Sequence, residues 1–464
     1  MNYRTKPAAA LCALIILFSC FTLAPAAAQV TLTEEAPAHT FGGKQCEGFA
    51  VSFSQNVTGI YIEFADTAAD FTVTANGETT AYDGKFINRY IDVSDLGTGE
   101  ISVAFPAGAS LYRASCYTAD PPADVQIWED MCEEADLLIC TTHSDDEQLF
   151  FAGIMPHYSA MGYEIQVVYF TDHNNYPPRR RELLAGLWEC GIRHYPYINY
   201  AFSDAYSESV EGALYNLKAF DGRNYDDAVA FQVEMIRRFK PLVIAGHDIN
   251  GEYGHGQHKL NSKSLCEAVE LAGNALIHPE SAEKYGVWTP KKLYLHLYGK
   301  NQITLDFLDV PMDRLGGLTP FQVTQKGFSH HASQHWTWFK TWIYGNSGEI
   351  VKAAQITKYS PMKWGLYFST VGEDTVKNGF FENVYETHAQ KRQRLIFENP
   401  IPGDVNLDGA VTREDCLLFL PAYYGEVLLN SARFKRADAN GDGVLNAIDN
   451  AIIKRAVFRA REGE

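Results

Sequence analysis

Basic residues are in deficit: Lys and Arg number 39 against 57 Asp and Glu, a formal net charge of −18. A nucleic-acid or anionic-membrane partner calls for a basic face, so neither is expected. The acidity serves solubility, and part of it is concentrated near the C-terminus. Cysteines are few, nine in all, and no two stand as Cys-x-x-Cys, so a thiolate zinc site is not expected. After the first residues no apolar run is long enough to span a membrane. What is present is a globular composition. With 46% hydrophobic and 21% charged residues, the 464-residue chain can bury cores in two or three domains.

Residues 1–28 read as an export signal. Arg4 and Lys6 precede a short apolar core around Leu14 and Ile15, and Ala26-Ala27-Ala28 offers a small-residue cleavage site before Gln29. Lipid attachment at Cys20 is the rival, and Phe18 fits it poorly. Loss of Cys12 and Cys20 with this segment leaves an odd set of seven thiols. Cys46 and Cys116 bracket the first domain as a candidate disulfide pair after export. Cys140, Cys190 and Cys266 sit in apolar contexts and read as buried thiols.

Residues 29–119 alternate in the manner of short strands, with Asn76-Gly77 and Asp83-Gly84 as turns, and predict a β-sandwich accessory domain. After Pro121-Pro122 the pattern changes. Buried strands are expected over residues 137–141, 164–170, 242–245 and 292–297. Helices are expected over 148–158, 180–190 and 226–239. This alternation over 124–398 predicts an α/β, Rossmann-like domain with a mostly parallel sheet covered on both faces. Beyond Asn399-Pro400-Ile401-Pro402 lies a small α-helical segment, 403–464, with two similar acidic loops.

Each loop offers oxygen donors at positions 1, 3, 5, 9 and 12 with Gly at 6, the spacing that suits calcium. These are Asp404, Asn406, Asp408, Thr412 and Asp415, then Asp438, Asn440, Asp442, Asn446 and Asp449. Position 12 is Asp rather than Glu, and a helix follows each loop. The pair resembles a type I dockerin. That resemblance implies two bound Ca2+ ions and docking to a cohesin on a scaffold or cell surface. Loop positions 10 and 11, which help choose the cohesin in that family, hold Arg413-Glu414 in one repeat and Ala447-Ile448 in the other. Pro421 interrupts the first helix of this reading, and the repeats differ.

Thr142-His143-Ser144-Asp145-Asp146-Glu147 follows the first buried strand of the middle domain. An imidazole and two carboxylates therefore sit where open α/β sheets place ligands. A polar turn with a helix cap is the bland alternative. A second polar stretch, His247 to His258, follows the strand at 242–245 and carries Tyr253, His255 and His258 in a Gly-rich turn. Together the two stretches resemble the LmbE/PIG-L zinc N-deacetylases. Arg179-Arg180-Arg181-Glu182 fits the family's Arg-x-x-Glu element, and His331-Ala332-Ser333-Gln334 its His-x-Ser-Gln element. Ser144 stands where the family has proline, and Gly256-Gln257 where it has Pro-Asp.

The resemblance implies His143, Asp146 and His258 as zinc ligands and Asp145 as general base. It implies a charged His255 beside the tetrahedral oxyanion, with Asp145 or His255 protonating the departing amine. Tyr253 and Arg179 are candidate substrate-binding residues, and His331 is a candidate either there or in the layer of residues behind the metal ligands; packing and solvation are their bland alternatives. The sequence thus reads as a secreted zinc-dependent hydrolase that removes N-acetyl groups from N-acetylglucosamine-type sugars or glycans, tethered through its dockerin. The rivals are hydrolysis of another amide at the same metal, a glycan-binding protein that keeps the fold without turnover, and a structural cell-surface component.

Overall fold

The computed structural model describes residues 30–171, 176–398 and 401–462. The expected export signal lies outside them. Two compact units emerge, one comprising the chain up to Lys85 and Ile91–Asp120, the other Phe86–Tyr90 and everything from Pro121 onward.

In the first unit the strands are β1 (Thr31–Leu32), β2 (Ala38–Phe53), β3 (Gly59–Phe64), β4 (Phe71–Ala75), β5 (Glu78–Tyr82), β6 (Asn88–Asp92) and β7 (Gly99–Tyr117). Hydrogen bonding links all seven in one network, not in two separate sheets, with β2 along one edge of β7 and β3 and β4 sharing the other. Register shifts near Lys44 and Gly48 let the two long strands bend. Phe49, Phe64, Phe71 and Phe105 are buried and their rings meet at 5.8–6.4 Å. The expected disulfide is absent: Cys46 and Cys116 are free thiols. Cys46 pairs with Ala109, whereas Cys116 lies further along β7 opposite Ile60. That separation, roughly 20 Å of strand, is beyond a disulfide's reach.

The second unit holds β8 (Leu137–Thr141), β9 (Ile165–Tyr169), β10 (Tyr197–Ile198), β11 (Val243–Gly246), β12 (Lys292–His296), β13 (Gln302–Thr304) and β14 (Lys363–Ser369), in spatial order β10-β9-β8-β11-β12-β14-β13. The first five are parallel, and β14 and β13 add antiparallel strands. Chain order therefore reverses between β8 and β11, which is the topological switch point where such sheets bind ligands. Every residue of β8, β9, β11 and β12 is buried, as strands covered on both faces require.

Helices cover the sheet: α1 (Asp146–Leu149), α2 (Ile154–Ala160), α3 (Pro177–Glu189), α4 (Val210–Asp221), α5 (Tyr225–Phe239), α6 (Gly256–Leu271), α7 (Pro279–Tyr285), α8 (Pro320–Ser329), α9 (Trp338–Tyr344) and α10 (His388–Glu398). Val233, Ile236 and Phe239 of α5 and Leu265 and Val269 of α6 pack against Leu138, Cys140, Ile244 and Leu293 of the strands. An Asn224/Asp227 capping box starts α5, and Lys240 in the left-handed region ends it before Pro241. The single helix expected over 148–158 is two. Gly153 sits at φ 83°, and a Cβ there would lie 2.6 Å from Leu308, so the chain turns to let that side chain in.

The C-terminal segment has its own small core of Val405, Phe419, Ala437 and Ile453. Three helices supply it: α11 (Arg413–Tyr423), α12 (Ser431–Ala437) and α13 (Ala447–Glu462). Pro421 does not break α11, which runs two residues past it. Among the described residues no helix is long and apolar enough to cross a membrane.

Candidate metal centres and active site

The turn after β8 is held in an unusual shape. Asp145 has φ 150°, a value L-residues rarely adopt. Its backbone N–H donates to Glu147 Oε2 at 3.0 Å, and Arg179 grips the same turn, donating to the Ser144 carbonyl at 2.6 Å and lying 3.2 Å from Asp145 Oδ1. The next residue, Asp146, opens α1 and accepts the His143 N–H at 2.8 Å.

The stretch after β11 brings the second half. There His258 Nε2 lies 3.1 Å from His143 Nδ1 and 3.2 Å from Asp146 Oδ2, and the latter two atoms are 3.1 Å apart. Each imidazole has its other nitrogen on a carboxylate: His143 Nε2 on Asp204 at 3.1 Å, His258 Nδ1 on Glu252 at 2.7 Å. With those outer contacts taking the ring N–H groups, two lone pairs and a carboxylate oxygen face one another, an arrangement that a bound cation satisfies. A tetrahedral zinc with bonds of about 2.1 Å spaces its ligands roughly 3.4 Å apart, so the trio fits with little adjustment. The outer carboxylates are the partners that metal-bound imidazoles need.

The charges agree. Burial alone would lower the His143 pKa, but Asp204 and Asp146 raise it to about 10. His258 is raised to about 9, its burial outweighed by Asp146 and Glu252. Asp146 is held well below the usual carboxylate range, burial being overcome by His258 and His143. The cradle therefore favours positive charge.

Glu252 is the hub of the second stretch. It accepts from His247 Nδ1 at 2.8 Å, His258 Nδ1 at 2.7 Å, His296 Nδ1 at 2.7 Å and the Asp248 N–H at 3.1 Å. His247 in turn accepts the Thr142 N–H at 3.0 Å, tying the two loops together. Asp204, Glu252, His247 and His296 had no role in the sequence reading. His247 and Glu252 stand inside the stretch that was singled out; Asp204, between β10 and α4, has no motif around it.

Asp145 and His255 lie beside the trio. Burial raises the Asp145 carboxyl to about 7, opposed by Arg179 and assisted by Asp146. The His255 ring centroid is 4.7 Å from that of His143. Its Nδ1 accepts the Gln257 N–H at 3.2 Å, capping α6. The charged His255 expected from the sequence is corrected here. A ring that accepts at Nδ1, at the positive end of a helix, is neutral and carries its proton on Nε2. Burial, His143 and His258 lower its pKa to about 2.

The three residues expected to bind substrate part company. Tyr253, half-buried at φ 44°, stands 5.4–5.5 Å from the His258 and His255 rings. Arg179 is placed on Asp145 rather than at large in the cleft. His331 is wholly buried with Nε2 on Gln148 Oε1 at 3.1 Å, so it does not reach substrate. The two lesser motifs instead meet each other: Ser333 donates to Glu182 through its N–H at 2.9 Å and its hydroxyl at 2.5 Å, anchoring α3 and with it Arg179.

The acidic loops repeat one design. Asp404 accepts the Asp408 and Gly409 N–H groups at 3.0 and 3.1 Å; Asp438 accepts those of Asp442 and Gly443 at 2.9 and 2.8 Å. Asp415 accepts from the Asn406 and Thr412 N–H groups, and Asp449 from those of Asn440 and Asn446. These backbone donors coincide in the two turns, whereas the position-9 side chains differ: Thr412 donates to Asp415, and Asn446 to Asp442 and the Val444 carbonyl.

Two family models match parts of this chain. Residues 138–269 match the model of the GlcNAc-PI de-N-acetylase family, and residues 402–458 that of the dockerin type I domain. The chain carries a PIG-L-type deacetylase domain and a type I dockerin domain. A curated relative, the 1D-myo-inositol 2-acetamido-2-deoxy-alpha-D-glucopyranoside deacetylase of Streptomyces avermitilis, is 26% identical over 180 residues, 34% of this chain and 60% of the relative. The chain thus spans less than two thirds of that protein's length. Among solved structures, the N,N'-diacetylchitobiose deacetylase of Pyrococcus horikoshii aligns with 50% of this chain and 83% of its own, at 15% identity and a TM-score of 0.33. The 4-carboxy-2-hydroxymuconate hydratase GalB of Pseudomonas putida aligns with 53% and 100%, at 15% and 0.32.

Proposed function

We propose that this protein is an exported, zinc-dependent N-deacetylase of N-acetylglucosamine-type sugars or glycans, tethered to a cohesin-bearing partner by its C-terminal domain. The observation that carries this reading is the triangle of His143 Nδ1, Asp146 Oδ2 and His258 Nε2 with edges of 3.1, 3.1 and 3.2 Å. Zinc held there by His143, Asp146 and His258 would supply an acidified water and polarise an amide carbonyl. Asp145 takes a proton from the attacking water, its carboxylate pinned for the purpose by Arg179. His255 Nε2–H donates to the oxygen on which negative charge develops. Asp145 then returns the proton to the nitrogen as the C–N bond breaks, leaving acetate and a free amine.

The substrate class is supported from two directions. The Streptomyces relative is named for removing acetyl from a 2-acetamido-2-deoxyglucoside. Here, exposed aromatic rings continue from the site: Tyr206 stands 5.1 Å from His255, and Trp338 5.9 Å from Tyr253. Such faces suit stacking on sugar rings. In the C-terminal domain, Leu417 and Ile448 are exposed apolar residues on the helices that follow the two loops, and they suit cohesin docking once calcium fills those loops. The test is direct. Zinc- and calcium-loaded full-length protein should release acetate from N-acetylglucosamine oligomers. No acetate from any N-acetylated sugar in a broad panel overturns the reading.

A further inference from the structure

We propose a second zinc site, built from Cys132, Glu164 and His194 at the opposite end of the parallel sheet from the active site. Cys132 lies in the loop before β8, Glu164 directly before β9, and His194 between α3 and β10. One donor atom from each lies within 4.8 Å of the other two. They therefore gather at the amino ends of the strands, whereas His143 and His258 follow the carboxyl ends. The five residues of β8 put about 16 Å between the two ends.

The ring of His194 is set as a ligand's ring is set. Its Nδ1–H donates to the Asp130 carbonyl at 2.6 Å, which leaves Nε2 as the nitrogen that faces Glu164 Oε2, 2.8 Å away. Zinc entering there would displace a proton shared by the two atoms and part them to the roughly 3.4 Å that separates ligands of one ion. A proton on Nε2 would satisfy them as a simple ion pair. The thiol of buried Cys132 beside the same atoms is what a plain ion pair does not require. Its loop is fixed by the Cys132 N–H donating to Gln166 Oε1 at 2.9 Å. Arg392 engages the other Glu164 oxygen, Oε1, at 2.9 Å and leaves Oε2 to the cluster.

One sulfur, one imidazole nitrogen and one carboxylate oxygen form a mixed donor set that suits zinc over calcium or magnesium. A cavity of about 280 Å³ opens beside the cluster, lined by Glu129, Tyr163, Glu164, Arg193 and His194, and gives room for a fourth ligand such as water. With metal bound, three segments already joined by backbone hydrogen bonds, Glu129 to Arg193 and Tyr195 and Asp136 to Glu164, would gain a further clip. This site also gives a use to one of the thiols that no disulfide accounts for.

Cobalt substitution separates the two sites, because only this one contains sulfur. Full-length protein reconstituted with Co2+ should show thiolate-to-cobalt charge-transfer absorption in the near ultraviolet and bind two cobalt ions outside the calcium loops. Cys132→Ser should abolish that absorption, lower the count by one and keep acetate release. His258→Ala should lower the count by one and keep the absorption. Glu164→Gln, which leaves the thiol in place, should weaken cobalt binding at this site about 10-fold or more. A wild-type protein without the sulfur band, or a band that survives Cys132→Ser, overturns the proposal. A metal count unchanged by Cys132→Ser overturns it as well.

Discussion

The acidic loops and the histidine–carboxylate trio are both cradles for a cation, yet they are assembled in opposite ways. Each loop takes its five oxygen donors from twelve consecutive residues, and its aspartates are held by backbone N–H groups of the same turn. In the trio, His143 and His258 stand 115 residues apart, and Asp204, which fixes His143, is 61 residues from it. The loops sit on a core of four buried residues; the trio sits on a sheet whose strands are buried throughout. A local cradle around so small a core is expected to depend on its ion for stability. One set by a large sheet is expected to form without the ion.

The largest effect expected from this contrast is all-or-none. Removing calcium while zinc is retained should melt the C-terminal domain in circular dichroism and abolish cohesin binding, with acetate release unchanged. Removing zinc while calcium is retained should do the reverse: hydrolysis stops, and the sheet's thermal transition persists. Loss of both activities in both buffers would mean that the two cradles are not built independently.

Next comes the base. Asp145→Asn should retain zinc, since Asp145 is not in the trio, and lower kcat on the order of 100-fold or more. Metal analysis beside steady-state kinetics reads both. Zinc lost together with activity would show that the Asp145 carboxylate, rather than only its neighbour Asp146, helps to hold the ion.

A smaller effect tests how far the distributed cradle extends. Glu252→Gln leaves the ligands in place but removes the charge shared by His247, His258 and His296. Outer-shell carboxylates of this kind are worth roughly 10- to 100-fold in metal affinity. Competition against a chromophoric chelator should show a loss in that range for zinc and none for calcium. An unchanged zinc affinity would reduce Glu252 to a packing role.

The same contrast explains what could be read from the residues alone. The acidic loops were legible as a repeated turn because spacing within a turn is itself the geometry. The strands at 137–141 and 242–245 were legible because residues buried on both faces form nearly continuous apolar runs. Of the trio, the ligands were legible only through family resemblance. Asp204 was not, since nothing near it in sequence reports that the fold carries it to His143. His331 misled for a related reason: its motif is real, but it packs against Gln148 and helps to anchor α3 rather than facing substrate. The pairing of Cys46 with Cys116 failed on register, which sequence spacing does not give. Lys363–Ser369 was unread because an antiparallel strand added to the edge side of β12 lacks the uniform apolar run of its neighbours.

The smallest expected effect lies outside both cradles, on the rings that extend the site. Tyr206 and Trp338 are 64% and 46% exposed, respectively, although they adjoin His255 and Tyr253. Neither touches the trio, so neither should change zinc affinity or the chemical step. If sugar units beyond the one being deacetylated lie on these rings, each ring contributes about 0.5–1.5 kcal/mol of stacking. Tyr206→Ala and Trp338→Ala should then raise KM about 2- to 10-fold for N-acetylglucosamine oligomers. They should leave kcat, and the kinetics on the monosaccharide, nearly as in wild type. An equal rise for monosaccharide and oligomer would place the rings on the reacting sugar itself. No change for either would confine recognition to the buried cradle, and the distributed site would end at Tyr253.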